Sequence, residues 1–158
     1  MANELPPNVV TKPPPPGVAA GIDETMIERL VHGFYGRIRT DAVLGPIFTA
    51  QIEDWEPHLA KMCAFWSSML LMTRRYDGRP VPAHLKIEGL GAAHFERWLD
   101  LFRATAHDLC PPEAAAPFID RAERVAQSLQ MSIDWQRGVL PPLKAPILAG
   151  KTPGSDCK

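Results

Sequence analysis

The stretch WEPHLAKMCAFWSSMLLM, residues 55–72, decides the fold class. Trp55, His58, Leu59, Met62, Phe65, Trp66, Met69 and Met72 fall on positions a, d and e of a heptad, which gives a helix one broad apolar face. Asp54 supplies an N-cap, and Pro57 is tolerated in the first turn, where backbone N–H groups have no partner within the helix. Turn chemistry at Tyr76, Asp77 and Gly78 is expected to close it. One residue is out of character: His58 stands in the middle of the apolar face.

The same periodicity recurs on both sides. Ile22, Met26, Ile27, Leu30, Val31, Phe34 and Ile38 repeat at helical spacing, with Thr25 and Glu28 as a predicted capping box and Tyr35 on the same broad face. Asp41 to Pro46 should end this helix in a turn, leaving Ile47 and Phe48 in a connector. A third helix is predicted from about Ala92 to Leu109, with Phe95, Trp98, Leu99, Phe102 and Leu109 as its stripe. Pro111 and Pro112 restart the chain into a fourth, carrying Phe118, Ile119, Ala122, Val125, Ala126, Leu129 and Ile133, with Trp135 near its end. No period-2 run is long enough for a strand, so the fold class is all-α. Between the second and third helices lies RRYDGRPVPAHLKI, residues 74–87. Pro80 and Pro82 argue against ordinary helix there, so His84 is expected on a stiff connector.

Composition bounds the rest. The chain has 158 residues, 46% of them hydrophobic and 22% charged, enough for one globular domain with a single core. Seventeen prolines concentrate at the ends. Residues 1–21, with ELPPNVVTKPPPPGVAAG, read as an extended or disordered arm, and residues 138–158, with GVLPPLKAPILAGKTPGSDCK, as a disordered tail. The folded unit is then 22–137. A net charge of −1 without a basic stripe argues against nucleic acid. Cys63, Cys110 and Cys157 are too scattered for a disulfide framework or a zinc site. No apolar run approaches a membrane span and no leader is visible, so a cytoplasmic location is expected.

Taken singly, the polar groups in these stripes have ordinary explanations. A lone histidine on an apolar face is more often a hydrogen-bonded core residue than a ligand. Tryptophans in aromatic stripes usually pack, and Tyr35 could bury its ring and keep its hydroxyl wet. His32, His94 and His107 read as solvated or locally bonded. Together they are harder to dismiss. Tyr35, His58 and Trp98 each place a donor inside an apolar helix face, and buried O–H and N–H groups need partners. His84, displaced from them on its connector, could approach from the opposite side, and that is the arrangement a five-coordinate haem iron requires.

With LVHGFYGRIRTDAVLGPIF (30–48), WEPHLAKMCAFWSSMLL (55–71), YDGRPVPAHL (76–85) and FERWLDLF (95–102) in this order, the sequence resembles the truncated haemoglobins of the third group over roughly residues 24–135. The resemblance implies a two-over-two helical sandwich around non-covalent haem b, iron protoporphyrin IX. It implies His84 as the iron ligand through Nε2, its Nδ1–H held by an acceptor such as a backbone carbonyl. His94 competes for that role, but His84 follows Tyr76, Gly78 and Pro80 at the family's separation. Tyr35, His58 and Trp98 match the distal positions, and Phe48 matches the phenylalanine that packs on the porphyrin. Met62 and Phe65 fit the apolar wall. Arg74, Arg75, Arg79 or Lys86 could pair with propionates.

Expected ligands are dioxygen, nitric oxide, carbon monoxide or peroxide. The leading expectation is reaction of bound oxygen with nitric oxide or peroxide rather than storage, with an unidentified reductase supplying electrons. Alternatives are a six-coordinate redox or sensing module using His58, and a haem-free interaction domain whose TKPPPPG segment binds SH3-like partners.

Overall fold

The structure, a computed structural model, describes residues 11–139. These residues form seven helices and no strand: α1 (Pro16–Ala19), α2 (Glu24–Thr40), α3 (Leu44–Gln51), α4 (Trp55–Leu71), α5 (Pro80–Leu85), α6 (Ala92–Leu109) and α7 (Pro112–Gln136). The chain is all-α, as its periodicity predicts. None of the described helices is long and apolar enough to cross a membrane.

The four long helices form two antiparallel pairs. Glu24, at the start of α2, meets Ser67 near the end of α4, while Tyr35 near the end of α2 meets Trp55 at the start of α4. Phe102 and Ala106 of α6 share a core with Ala114, Phe118 and Ala122 of α7, whereas Phe95 packs with Leu129 and Ile133. Aromatic stacking ties the pairs together. Trp66 stacks on Phe102 (centroids 5.0 Å, 24° between planes), and Phe102 on Trp98 (5.4 Å, 16°).

The apolar interior is divided in two. The larger cluster holds α2, α4 and the facing halves of α6 and α7. A smaller one holds Leu90, Phe95, Ala126, Leu129 and Ile133, with Val81, Leu85 and Ile87 packed against it. Trp98 and Leu99 touch both.

Several local expectations are corrected. Asp23, not Thr25, caps α2, its carboxylate accepting from Met26 N–H at 2.8 Å. Residues 44–51 are helix rather than connector, because Asp41 accepts from the N–H groups of Val43 and Leu44 and so starts a new helix. A Cβ at Gly45 would lie 2.8 Å from the Arg39 carbonyl oxygen, so only glycine lets α3 turn so closely off α2. Arg97 of α6 then holds Asp41 with Nε 2.8 Å and 2.9 Å from its two oxygens, fixing α3, and with it Phe48, against α6.

The α4 helix stops at Leu71, not at Tyr76–Gly78. Met72 takes the left-handed conformation and is exposed, which removes it from the predicted stripe. Residues 80–85 do form a helix, because Pro80 and Pro82 both fall in its first turn, where a missing N–H breaks no helical bond.

One short helix falls inside the stretch predicted as an N-terminal arm. Residues 16–19 are helical, Gly17 is buried, and a Cβ there would meet the Leu70 carbonyl at 2.7 Å. Residues 1–10, and the predicted tail beyond residue 139, lie outside the described residues.

Candidate functional site

His84 is carried by α5, which packs on α7. Its Nδ1 lies 2.6 Å from the Pro80 carbonyl oxygen, one turn back. A carbonyl can only accept, so Nδ1 carries the proton and Nε2 keeps its lone pair. Helix α5 does not touch α4: no Cα of one comes within 8 Å of a Cα of the other. Val81 and Leu85 of α5 pack on the smaller apolar cluster, whereas Leu59, Met62 and Phe65 of α4 pack on the larger.

His58 stands on α4 and is half-buried. Its Nε2 is the one buried side-chain polar atom without a hydrogen-bond partner among the described residues. Leaving such an atom unpaired costs about 1–3 kcal/mol. Burial lowers the His58 pKa, and the Lys61 and His84 side chains lower it further.

Tyr35 completes this side. Its ring is buried and stands edge-on to His58, with centroids 5.3 Å apart at 88°. Burial raises its pKa well above the usual tyrosine value, with smaller contributions from Cys63 and Tyr76, so the hydroxyl stays a neutral donor. Phe48 lies edge-on to Tyr35 at 5.9 Å, and Trp55 edge-on to His58 at the same separation. Trp98 joins through an intermediary: Phe34 stands edge-on to Tyr35 at 5.1 Å and to Trp98 at 5.3 Å. Met62 and Phe65 are half-buried, one and two turns beyond His58 on the same stripe.

Several neighbours have other roles. The His94 Nδ1 accepts from Gly91 N–H at 3.1 Å and caps α6, which occupies the nitrogen that His84 commits to Pro80. Arg75 pairs with Glu24 at 3.0 Å and lines the groove between α2 and α4. Trp66 is core. Tyr76 leans on Phe65 (5.1 Å) while Ser68 Oγ accepts from its backbone N–H. Its ring lies where a Cβ at position 78 would stand, which explains Gly78.

No family model matches the chain. A curated relative, the group 3 truncated haemoglobin of Campylobacter jejuni, is 34% identical over 113 residues, spanning 69% of this chain and 89% of that protein. The chain belongs to the group III truncated haemoglobins. The crystal structure of group III truncated haemoglobin from Campylobacter jejuni superposes with a TM-score of 0.67 at 34% identity, covering 71% of this chain and 91% of that one. A tyrosine-to-alanine variant of the group II truncated haemoglobin from Bacillus anthracis matches with a TM-score of 0.60 at 25% identity, over 78% and 92% of the two chains. Within this truncated haemoglobin the residues that are distant in sequence but adjacent in space are Tyr35, Phe48, Trp55 and His58. Trp55 was not singled out as a site residue by its sequence, since a tryptophan opening an apolar stripe carries no signal beyond packing.

Proposed function

We propose that the chain holds one non-covalent haem b between α4 and α5 and binds dioxygen and other diatomic ligands. Oxygen held there would be consumed with nitric oxide to give nitrate rather than stored, and peroxide would instead be reduced to water with two electrons and two protons from outside this chain. The observation that carries this is the His84 imidazole, whose Nδ1–H is committed to Pro80 and whose Nε2 lone pair is left for a metal. The residues fit the group. Half-buried Phe48, Met62, Phe65, Val81 and Leu85 offer apolar walls, and His58 offers an unpartnered Nε2. When bound, haem supplies an iron that takes up a diatomic ligand and places partial negative charge on it.

The chain's own part is to hold and stabilise that charge. Tyr35 donates its O–H, His58 can donate from Nε2, and Trp98 is the third donor. A hydrogen bond to a charged group contributes about 1.5–3 kcal/mol, roughly 10- to 150-fold in an equilibrium constant. Tight retention suits reaction of oxygen better than its delivery, and donors aimed at developing charge also assist O–O cleavage. The apolar walls exclude water. Electrons for repeated turnover come from a reductase outside this chain.

The unpartnered Nε2 of His58 supports a second reading, in which His58 is itself the sixth iron ligand of a redox or sensing module. Spectra of the ferric and dithionite-reduced protein, with and without carbon monoxide, separate the two. The proposal expects a five-coordinate reduced spectrum that shifts fully on carbon monoxide; a low-spin reduced spectrum favours the second. His84→Ala should lose the Soret band or need added imidazole to restore it. An unchanged spectrum in that variant would remove His84 from the iron.

A further inference from the structure

Between α4 and α5 the chain runs through residues 72–79 without helix, and two of them, Met72 and Arg74, take the left-handed conformation (φ 56° and 59°). Residues with a Cβ rarely adopt it, so the surroundings must hold it in place. Two consecutive serines at the end of α4 do so. Ser67, fully buried, lies 2.5 Å from a carboxylate oxygen of Glu24 on α2 and 2.7 Å from the Thr73 hydroxyl. An ionised carboxylate only accepts and a hydroxyl has one proton, so Ser67 donates to Glu24 and Thr73 donates to Ser67. Arg75 engages the other Glu24 oxygen at 3.0 Å. Ser68 repeats the pattern, donating to the Ala64 carbonyl at 2.8 Å and accepting from Tyr76 N–H at 2.9 Å. Residues 73, 75 and 76 are thus each tied to α2 or α4.

We propose that Ser67, together with Glu24, is a positioning residue for His84, and that residues 72–79 are the strap through which it acts. The inference rests on the haem reading above, which puts His84 on the iron. Four residues after Tyr76 comes Pro80, whose carbonyl accepts from His84 Nδ1–H at 2.6 Å. Val81 and Leu85 seat α5 on the smaller apolar cluster, and Arg137 ties down the chain that follows. Apolar seating is non-directional and does not fix the rotation of a six-residue helix about its axis. Pro80 and Pro82 leave the start of α5 two backbone donors short, so it has little with which to anchor itself. The directional bonds that enter α5 from its N-terminal side are those of the strap. Turning α5 turns the Pro80 carbonyl, and His84 turns with it.

Ser67→Ala removes the centre of this chain of bonds. In the full-length protein purified with haem bound, amide hydrogen exchange read by mass spectrometry should run about tenfold faster over residues 73–79, and stay within about twofold of the parent's in α2 and α7. The iron–imidazole stretching band of the ferrous protein, read by resonance Raman, should broaden as α5 samples more than one rotation, because that band reports the orientation and hydrogen bonding of the ring. Glu24→Gln keeps an amide oxygen that accepts from Ser67 and should keep the parent's band. Glu24→Ala should match Ser67→Ala.

Unchanged exchange over the strap in Ser67→Ala overturns the proposal. So does faster strap exchange with an unchanged band, which separates the strap from His84. Exchange that rises equally in every helix overturns it too, since Ser67 would then serve only general packing. Should Ser67→Ala fail to fold, Thr73→Val at an exposed position cuts the same chain of bonds at its strap end and takes the same readouts. A protein that takes up no haem fails the haem reading instead, and the exchange comparison is still made on it. The imidazole nitrogen NMR signals of His84 then replace the Raman band: the parent should show the Nδ1–H tautomer and Ser67→Ala a mixture of both. The same tautomer in both proteins overturns the positioning role.

Discussion

Tyr35→Phe isolates the electrostatic part of the proposed function. The substitution removes one oxygen and keeps the ring, which packs edge-on against Phe34, His58 and Phe48 at 5.1, 5.3 and 5.9 Å between centroids. Packing is conserved, so the melting temperature should stay near the parent's. What is lost is a donor whose proton is secure through the neutral range, because burial holds the Tyr35 pKa far above its usual value. A hydrogen bond to a partly charged ligand is worth about 1.5–3 kcal/mol, so oxygen should dissociate roughly 10- to 150-fold faster. Carbon monoxide, which carries little negative charge when bound, should hardly respond. The assay is stopped-flow displacement of oxygen by carbon monoxide, with carbon monoxide release measured in parallel. Two results refute the reasoning. Equal changes for both gases would mean that the hydroxyl acts by filling space, and no change for oxygen would mean that it points elsewhere. If His58 compensates, Tyr35→Phe with His58→Leu will exceed the sum of the single effects.

Three other outcomes test the frame around the site. Asp41→Ala removes the α3 cap and the Arg97 pairing, and thermal melts at pH 7 should show a loss of about 1–2 kcal/mol. The Arg97 hydrogen bond, then that from Leu44 N–H, holds the Asp41 pKa well below the carboxylate range, so this contribution is complete above about pH 5 and fades as pH falls through and below about 4. Parent and variant melts should therefore converge in acid. His58 has a lowered pKa, mainly through burial, so the unfolded chain binds its proton first and stability falls as pH drops below about 6.5. His58→Leu should flatten urea-derived stability between about pH 7 and 5. Gly17→Ala, forced against the Leu70 carbonyl, should destabilise by about 1–3 kcal/mol, whereas an Ala at Pro13 should be neutral if only residues from 16 onward pack on the core.

The long helices were legible because burial leaves a 3.6-residue period in the sequence. Residues 92–109 were bounded correctly by Gly91 and by Pro111. The short helices were not. Eight residues in α3 and six in α5 are too few to show a period, and their prolines resemble breaks until one sees that each falls in a first turn. The cap on α2 went to Asp23 over Thr25, a choice of two residues that several N-cap sequences permit. Of the candidate site, His58 was visible as a polar residue in an apolar stripe. The spacing of α4 from α5 was not, since nothing local sets the distance between two helices that never touch.

That separation bears on how the protein is put together. Helices α6 and α7 pass through both apolar clusters, which meet at Trp98 and Leu99. Arg137, just past α7, donates to the carbonyls of Ile87 and Leu90 and ties down the chain that follows α5. A polypeptide built this way couples its two halves through one helix: a substitution at Trp98 or Leu99 of α6 disturbs both apolar clusters at once.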